Sequence, residues 1–159
     1  MKVGIIVDNL RDSQRNFLLI TSLNKFVQDS ANDGIVFYQE PSIPCATVRF
    51  SQMQMIEAYS FDGTVIATSF PFAQKLLNFP GPSRKIYYVN ELEWMRMEQP
   101  IHNELAFVFR HSNIEIVAAN KEFANKLSSC WNIEKPRVVA DFNVQEIVGI
   151  VESLELCPS

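Results

Sequence analysis

The chain has 159 residues, 47% of them hydrophobic and 20% charged, which are ordinary values for one soluble globular domain with a sizeable core. Its formal net charge is -4 and it has no long basic run, so nucleic-acid binding, which needs a positive face, is disfavoured. No apolar stretch approaches the roughly 20 residues needed to cross a bilayer, and we expect no membrane span.

The N-terminal segment and the cysteines both favour a cytoplasmic protein. The opening residues, "MKVGIIVD", form a short apolar run without a small-residue cleavage site, which predicts a first strand rather than a signal peptide. Cys45, Cys130 and Cys157 are odd in number and widely spaced, so reduced thiols are expected. His102 and His111 have no cysteine or acidic motif at zinc spacing, and no bound metal is expected.

Contiguous apolar runs predict six or seven strands. Apolar residues that do not alternate with polar ones are typical of parallel strands covered by helices on both faces. The clear runs are 3–7, 64–68, 85–89, 114–118 and 137–140, with a weaker run at 34–38 and a short one near an edge at 46–50.

Apolar residues at helical spacing predict helices between these strands. The stripes are Leu19, Leu23, Phe26 and Val27; Ile101, Leu105, Val108 and Phe109; Phe123, Leu127, Cys130 and Trp131; and Val144, Ile147, Val148 and Val151. Asp12 or Ser13 is placed to cap the first of them. Two shorter helices are predicted at 51–58 and 72–77.

The alternation of strands and helices predicts an α/β fold. A three-layer α/β/α Rossmann-like domain with a mostly parallel sheet of six or seven strands accounts for the whole pattern. Right-handed crossovers would place helices on both faces of that sheet. No low-complexity segment or linker divides the sequence, so residues 1–159 are predicted to form a single domain.

Polar residues follow the carboxyl ends of the predicted strands, which is the end of an open parallel sheet where ligands bind. From this placement we select eight candidate ligand-binding residues: Asp8, Asn9, Arg11, Ser69, Asn90, Glu91, Trp94 and Asn120. Asp8 could instead cap a helix or pair with Arg11. Ser69 and Asn120 are also residue types that cap helix N-termini, so their polarity has a structural explanation as well.

The segment after the predicted strand 85–89 changes abruptly from apolar residues to Asn90, Glu91, Glu93 and Trp94. One interpretation is a solvated turn, because glutamates are mostly exposed. The other is a partly sheltered loop that binds a ligand. Acid and base roles cannot be assigned to the two glutamates, because the sequence does not define their separation in space. Catalytic residues therefore stay unassigned.

Several common cofactor and catalytic motifs are missing from the sequence. The loop after the first strand, "DNLRDSQ", has no glycine, which disfavours NAD or FAD binding. The P-loop pattern and the GxSxG nucleophile motif do not occur, and Cys130 has no histidine near it in sequence. We expect no cofactor, and a small flavodoxin-like enzyme is disfavoured for want of a phosphate-cradling loop.

Five segments in chain order carry a family resemblance. They are "MKVGIIVDNL", "DGTVIATSFPFAQKL", "IYYVNELEW", "IEIVAANKEFANKL" and "KPRVVADFNVQEI". Together they resemble the N-terminal, acceptor-side half of a GT-B-fold glycosyltransferase of the group 1, family 4-like kind. The third segment is similar to the strand that commonly ends in His-Asp or His-Glu before an aromatic residue in that family.

The resemblance implies binding of a sugar or glycan. Asn90, Glu91 and Arg11 would contact hydroxyl groups, and Trp94 would stack on a sugar ring. Complete GT-B enzymes hold the nucleotide-sugar in a second Rossmann-like domain that the sequence does not contain, and Asn90 stands where a histidine is common. The resemblance therefore implies a domain incomplete as an enzyme on its own, with a separate donor-binding chain as a candidate partner.

A non-catalytic interaction module is the alternative. Without a companion domain, Phe70, Trp94, Met95 and Met97 would be exposed and could form a homodimer or partner-binding surface. The two methionines could equally fill gaps in the core.

Overall fold

A seven-stranded sheet in which every strand is parallel to its neighbours forms the centre of the computed structural model, which describes residues 1–96 and 101–155. The strands are β1 Lys2–Val7, β2 Asp33–Tyr38, β3 Ser51–Gln54, β4 Thr64–Ala67, β5 Arg84–Val89, β6 Glu115–Ala118 and β7 Arg137–Val138. Their order across the sheet is β3-β2-β1-β4-β5-β6-β7.

Among the described residues, five α-helices connect or follow these strands. They are α1 Gln14–Phe26, α2 Phe70–Leu77, α3 His102–Phe109, α4 Lys121–Trp131 and α5 Val144–Glu155. Short 3₁₀ turns occupy Met55–Ser60, Glu93–Arg96 and Ala140–Phe142. Within the part of the chain that the structure describes, no helix combines the length and the apolar character needed to cross a membrane.

The sheet separates two apolar layers, and its strands contribute to both. Ile5 of β1 packs in the layer that contains α1 and α5, whereas the neighbouring Ile6 packs in the layer that contains α2, α3 and α4. In β5, Tyr88 and Tyr87 divide between the same two layers. Since both faces are covered, the central strands β1 and β4 carry buried apolar residues on both faces, and the predicted three-layer Rossmann-like fold is confirmed.

The predictions at one sheet edge were wrong. Residues 46–50 do not form a strand, and residues 51–54 form β3 rather than the start of a helix. The α1 side chain of Asn24 explains the first error, because its amide donates to the Thr47 carbonyl at 2.7 Å and its oxygen accepts from the Arg49 N–H at 2.8 Å. These bonds hold the segment against α1 instead of against a neighbouring strand.

Side-chain caps begin two of the helices where the sequence patterns placed them. The Ser13 hydroxyl accepts from the Asn16 N–H at 3.1 Å and caps α1. The Asn120 side chain caps α4 through a 2.8 Å bond from the Phe123 N–H. These bonds satisfy amides that have no partner within the helix, which aligns each helix start with the preceding strand end.

The Tyr88 hydroxyl joins β5 to the chain between β7 and α5. It donates to the Val139 carbonyl at 2.8 Å and accepts from the Phe142 N–H at 3.2 Å. The ring also packs edge-on against Phe142, with 4.7 Å between centroids. All of these groups are buried, so losing the hydroxyl would leave two backbone groups without their partner.

We expect Tyr88→Phe to lower the free energy of unfolding by about 1–3 kcal/mol, because it leaves a buried carbonyl and a buried N–H unsatisfied. Urea denaturation followed by circular dichroism measures the change. Tyr59→Phe is the matched control, since Tyr59 is half exposed. Equal stability of the two variants would show that the Tyr88 hydroxyl does not hold this junction together.

Candidate functional site

A crevice lies at the carboxyl end of the sheet where the strand order reverses. From β1 the chain moves to β2 on one side, whereas β4 pairs with the other side of β1, so the loops after β1 and β4 diverge. Ligands of open α/β sheets bind at this switch point. Here the gap between the two loops has a volume of about 410 Å³.

Polar side chains dominate the lining of this switch-point crevice. The eight polar residues are Asp8, Asn9, Ser13, Arg15, Asn16, Gln39, Thr68 and Ser69. Val7, Pro71 and Phe72 supply the apolar part. Asp8 carries the one carboxylate and Arg15 the one cationic group among these lining residues, so their formal charges cancel.

Arg15 and Thr68 connect the two sides of the crevice. Arg15 lies in the first turn of α1, and its guanidinium donates to the backbone carbonyl of Thr68 at the end of β4. The buried Thr68 hydroxyl donates in turn to the Ile6 carbonyl of β1 at 2.8 Å. These bonds fix the positions of both strand ends, so the crevice is preorganised around one anchored cation.

The loop after β1 is shaped by Asn9. Its amide donates to the Asp8 carboxylate at 3.0 Å, and its oxygen accepts from the Arg11 N–H at 3.0 Å, which forms a local turn. Leu10 is buried, and its N–H donates to the Ser42 hydroxyl at 2.8 Å. The turn therefore keeps Asp8 exposed at the crevice, and Leu10 anchors the loop in the core.

Arg11 lies outside the crevice. Its guanidinium is 3.4 Å from the Glu40 carboxylate, and both side chains are more than half exposed. Asp8 therefore has Asn9 rather than Arg11 as its partner, and the alternative of an Asp8–Arg11 pair is wrong.

Glu93 caps α2 from a distant part of the chain. Its two carboxylate oxygens accept from the Phe70 N–H at 3.1 and 3.2 Å, and the Tyr87 hydroxyl donates to one of them at 3.4 Å. Ser69 occupies the N-cap position of α2, but its side chain makes no capping bond. The hydroxyl of Ser69 is thus left to the crevice, whereas the capping role expected from its residue type belongs to Glu93.

The environment of Glu93 changes its acidity. Burial raises the pKa of this carboxyl above its usual 4.5, while the Phe70 N–H and the positive charge of Arg15 act in the opposite direction without cancelling the shift. The neighbouring Glu91 charge raises the pKa of Glu93 further. Burial also raises the pKa of Tyr87 well above 10, and Glu93 adds to that shift.

The remaining candidates also lie at the carboxyl end of the strands, but outside the crevice. Asn90, Glu91 and Trp94 follow β5, two strands away from β1. Glu91 lies 3.5 Å from Arg96 in an exposed ion pair. Asn120 follows β6 and caps α4. The structure therefore brings together Asp8, Asn9 and Ser69 but not the other five candidates: Arg11, Asn90, Glu91, Trp94 and Asn120.

Trp94 packs against the core. Its ring contacts Phe109 and Trp131 edge-on, with centroid distances of 5.2 and 5.8 Å. The exposed surface predicted around it is wrong in one respect, because Phe70 is only 2% exposed. Met95 is 65% exposed, and Met97 lies outside the described residues.

The structure describes two of the three cysteines. Cys45 and Cys130 are free thiols, and Cys157 lies outside the part of the chain that the structure describes. Within residues 1–96 and 101–155, no group of three His, Cys, Asp or Glu side chains is arranged to hold a metal ion.

Five polar lining residues were not among the sequence candidates: Ser13, Arg15, Asn16, Gln39 and Thr68. The sequence predicts Ser13 only as a helix cap, and Arg15 and Asn16 in the first turn of α1 match no motif. A sequence signal for the residues of α1 does exist. Residues in the first turn of a helix that follows a central parallel strand lie at the same end of the sheet as the carboxyl end of that strand.

No protein-family model, curated protein or solved structure matches the chain. The class of protein is therefore defined by its architecture: a Rossmann-like α/β domain with a polar, charge-balanced crevice at the strand-order switch point.

We expect Glu93→Ala to destabilise the protein by about 1 kcal/mol, because the Phe70 N–H loses the acceptor that caps α2. Glu93→Gln keeps an oxygen at that position. Because the pKa of Glu93 is raised, the wild type is most stable relative to this variant below pH 4.5 and loses the advantage as pH rises through the raised pKa.

Denaturation curves for both variants between pH 3 and pH 8 test this expectation. Glu134→Gln is the control, since Glu134 is exposed and lies before β7, at the opposite end of the strands from Glu93. A Glu93→Gln variant that loses stability relative to the wild type as the pH rises would contradict the assignment.

Proposed function

We propose that the switch-point crevice binds a neutral polyhydroxylated ligand, a sugar or the end of a glycan, in a glycosyltransferase-like acceptor domain. The observation that carries the proposal is the lining itself, in which eight polar side chains surround a space of about 410 Å³ with balanced charge. Ligand pockets for small molecules fall in this range of volume.

The lining offers both kinds of hydrogen-bonding group that a sugar hydroxyl needs. A hydroxyl donates one hydrogen bond and accepts others, so it pairs with acceptors and donors alike. Asp8 provides acceptors, Arg15 provides donors, and the amides of Asn16 and Gln39 provide both. Pro71 and the other apolar lining residues supply contacts for the C–H surface of a sugar ring.

A phosphate-bearing ligand fits the crevice less well. Helix N-termini after β-strands bind phosphate when their amides are free to donate. In α2 the Phe70 N–H already donates to the carboxyl group of Glu93, so it is not free to donate to a phosphate oxygen. The loop after β1 also lacks glycine. Both features favour the acceptor sugar over a nucleotide-sugar donor.

The resemblance to GT-B acceptor domains supports the same proposal. Its first segment contributes β1 with the loop that carries Asp8, and its second contributes β4 with the start of α2. These two segments line opposite sides of the crevice. Transfer activity belongs to the proposal only through this resemblance, with a separate donor-binding chain as the proposed partner.

We expect neutral monosaccharides or short oligosaccharides to shift the amide NMR signals of residues 8–16 and 68–72. Asp8→Asn should weaken binding by about tenfold, because a charged hydrogen bond is worth about 1.5–3 kcal/mol. Asp62→Asn is the matched control, since Asp62 is exposed and lies just before β4, at the end of the strands opposite the crevice.

The same titration distinguishes the alternatives. Saccharide-dependent shifts confined to residues 90–96 would move the site to the turn after β5 and reject the crevice. An absence of shifts with every saccharide tested, or stronger binding of uridine diphosphate than of any saccharide, would reject the proposed ligand class.

A further inference from the structure

The two edges of the sheet differ in how they are protected. The edge strand β7 has only two residues, and a Lys135-Pro136-Arg137 sequence blocks it with charge and with a residue that cannot donate. The other edge strand, β3, has four residues with no charge, proline or glycine: Ser51, Gln52, Met53 and Gln54. Exposed edge strands without such protection pair readily with other strands.

The outer side of β3 is open. All four of its residues are exposed, and among the described residues only β2 pairs with it. Apolar side chains lie on the strand and just after it: Met53 is 42% exposed, and Ile56 of the following 3₁₀ turn is 68% exposed. An uncharged edge beside exposed apolar groups has the composition of an interface.

We propose that β3 is a homodimerisation edge, at which a second copy of this chain pairs antiparallel and joins the two seven-stranded sheets into one. A closed two-fold dimer buries the same surface on both copies, so it covers the open edge completely and stops there. The proposal does not depend on the ligand of the crevice.

Symmetry restricts the register of this pairing. A two-fold axis normal to the sheet leaves each side chain on its own face, so opposed residues are both odd-numbered or both even-numbered. Centring the axis on Met53 meets this condition and opposes Gln52 with Gln54 of the second copy. The two Met53 side chains then form a cross-strand apolar pair at the centre.

Charge complementarity selects a second copy in this orientation as the partner. Arg49 and Glu57 are both exposed, and both lie four residues from Met53, beyond opposite ends of β3. Arg49 lies in the loop before β3 and Glu57 in the 3₁₀ turn after it, so antiparallel pairing centred on Met53 places the Arg49 end of each copy beside the Glu57 end of the other. A parallel arrangement would instead oppose like charges, which is unfavourable.

Sedimentation equilibrium of the whole chain tests the proposal through Met53→Lys, which places two like charges at the centre of the pairing. We expect the wild type to be dimeric and this variant to have a dimer dissociation constant raised by about tenfold or more. Met95→Lys is the control, because Met95 is also exposed but lies after β5. Thermal melting monitored by circular dichroism confirms that both variants fold.

A charge-reversal series tests the register. Arg49→Glu and Glu57→Arg should each weaken the dimer, and the double variant should restore it, because the attraction is re-formed with its signs exchanged. A wild type that stays monomeric at several hundred micromolar would overturn the proposal. So would a dimer that Met53→Lys leaves intact, or a double variant no better than the single ones.

Discussion

Burial of both faces of the parallel sheet is the constraint on which the rest of this structure depends. Helices cover both faces and the strands are parallel, so the chain crosses back over the sheet after each strand. The carboxyl ends of all the strands therefore lie along one rim of the sheet. The apolar residues of the strands stop at that rim because the backbone there leaves the core. Polar side chains therefore concentrate where the loops diverge, and the switch-point crevice is a consequence of the fold.

Long-range hydrogen bonds convert that rim into a defined site. The Arg15 guanidinium reaches from α1 to the end of β4, and the Glu93 carboxylate reaches from the turn after β5 to the start of α2. Both interactions join segments that are far apart in sequence. They fix the end of β4 and the start of α2 at this rim, and the Ser69 side chain makes no capping bond. The proposal of a neutral, hydroxyl-rich ligand starts from this arrangement.

The open β3 edge follows from the same constraint. An open parallel sheet must end in two unpaired edges, and a chain protects them with charge, proline or short length. The β7 edge has all three protections, whereas β3 has none of them. The sequence shows which residues β3 and β7 contain. Only the tertiary structure shows that these two strands are the ones at the edges of the sheet.

By itself, the sequence determined the elements whose signal is local. Contiguous apolar runs defined the clear strands, because a strand covered on both faces has no polar alternation, and Asn120 was recognisable as a cap because capping acts within three residues. The β3 region was misassigned, since Asn24 holds residues 47–49 from α1 and strand pairing with β2 overrides the weak local preference of residues 51–54. Only the tertiary structure decided which polar residues meet. It gathered Asp8, Asn9 and Ser69 with Arg15 and left Asn90 and Trp94 apart, because strand order and long-range bonds, rather than spacing along the chain, set those distances.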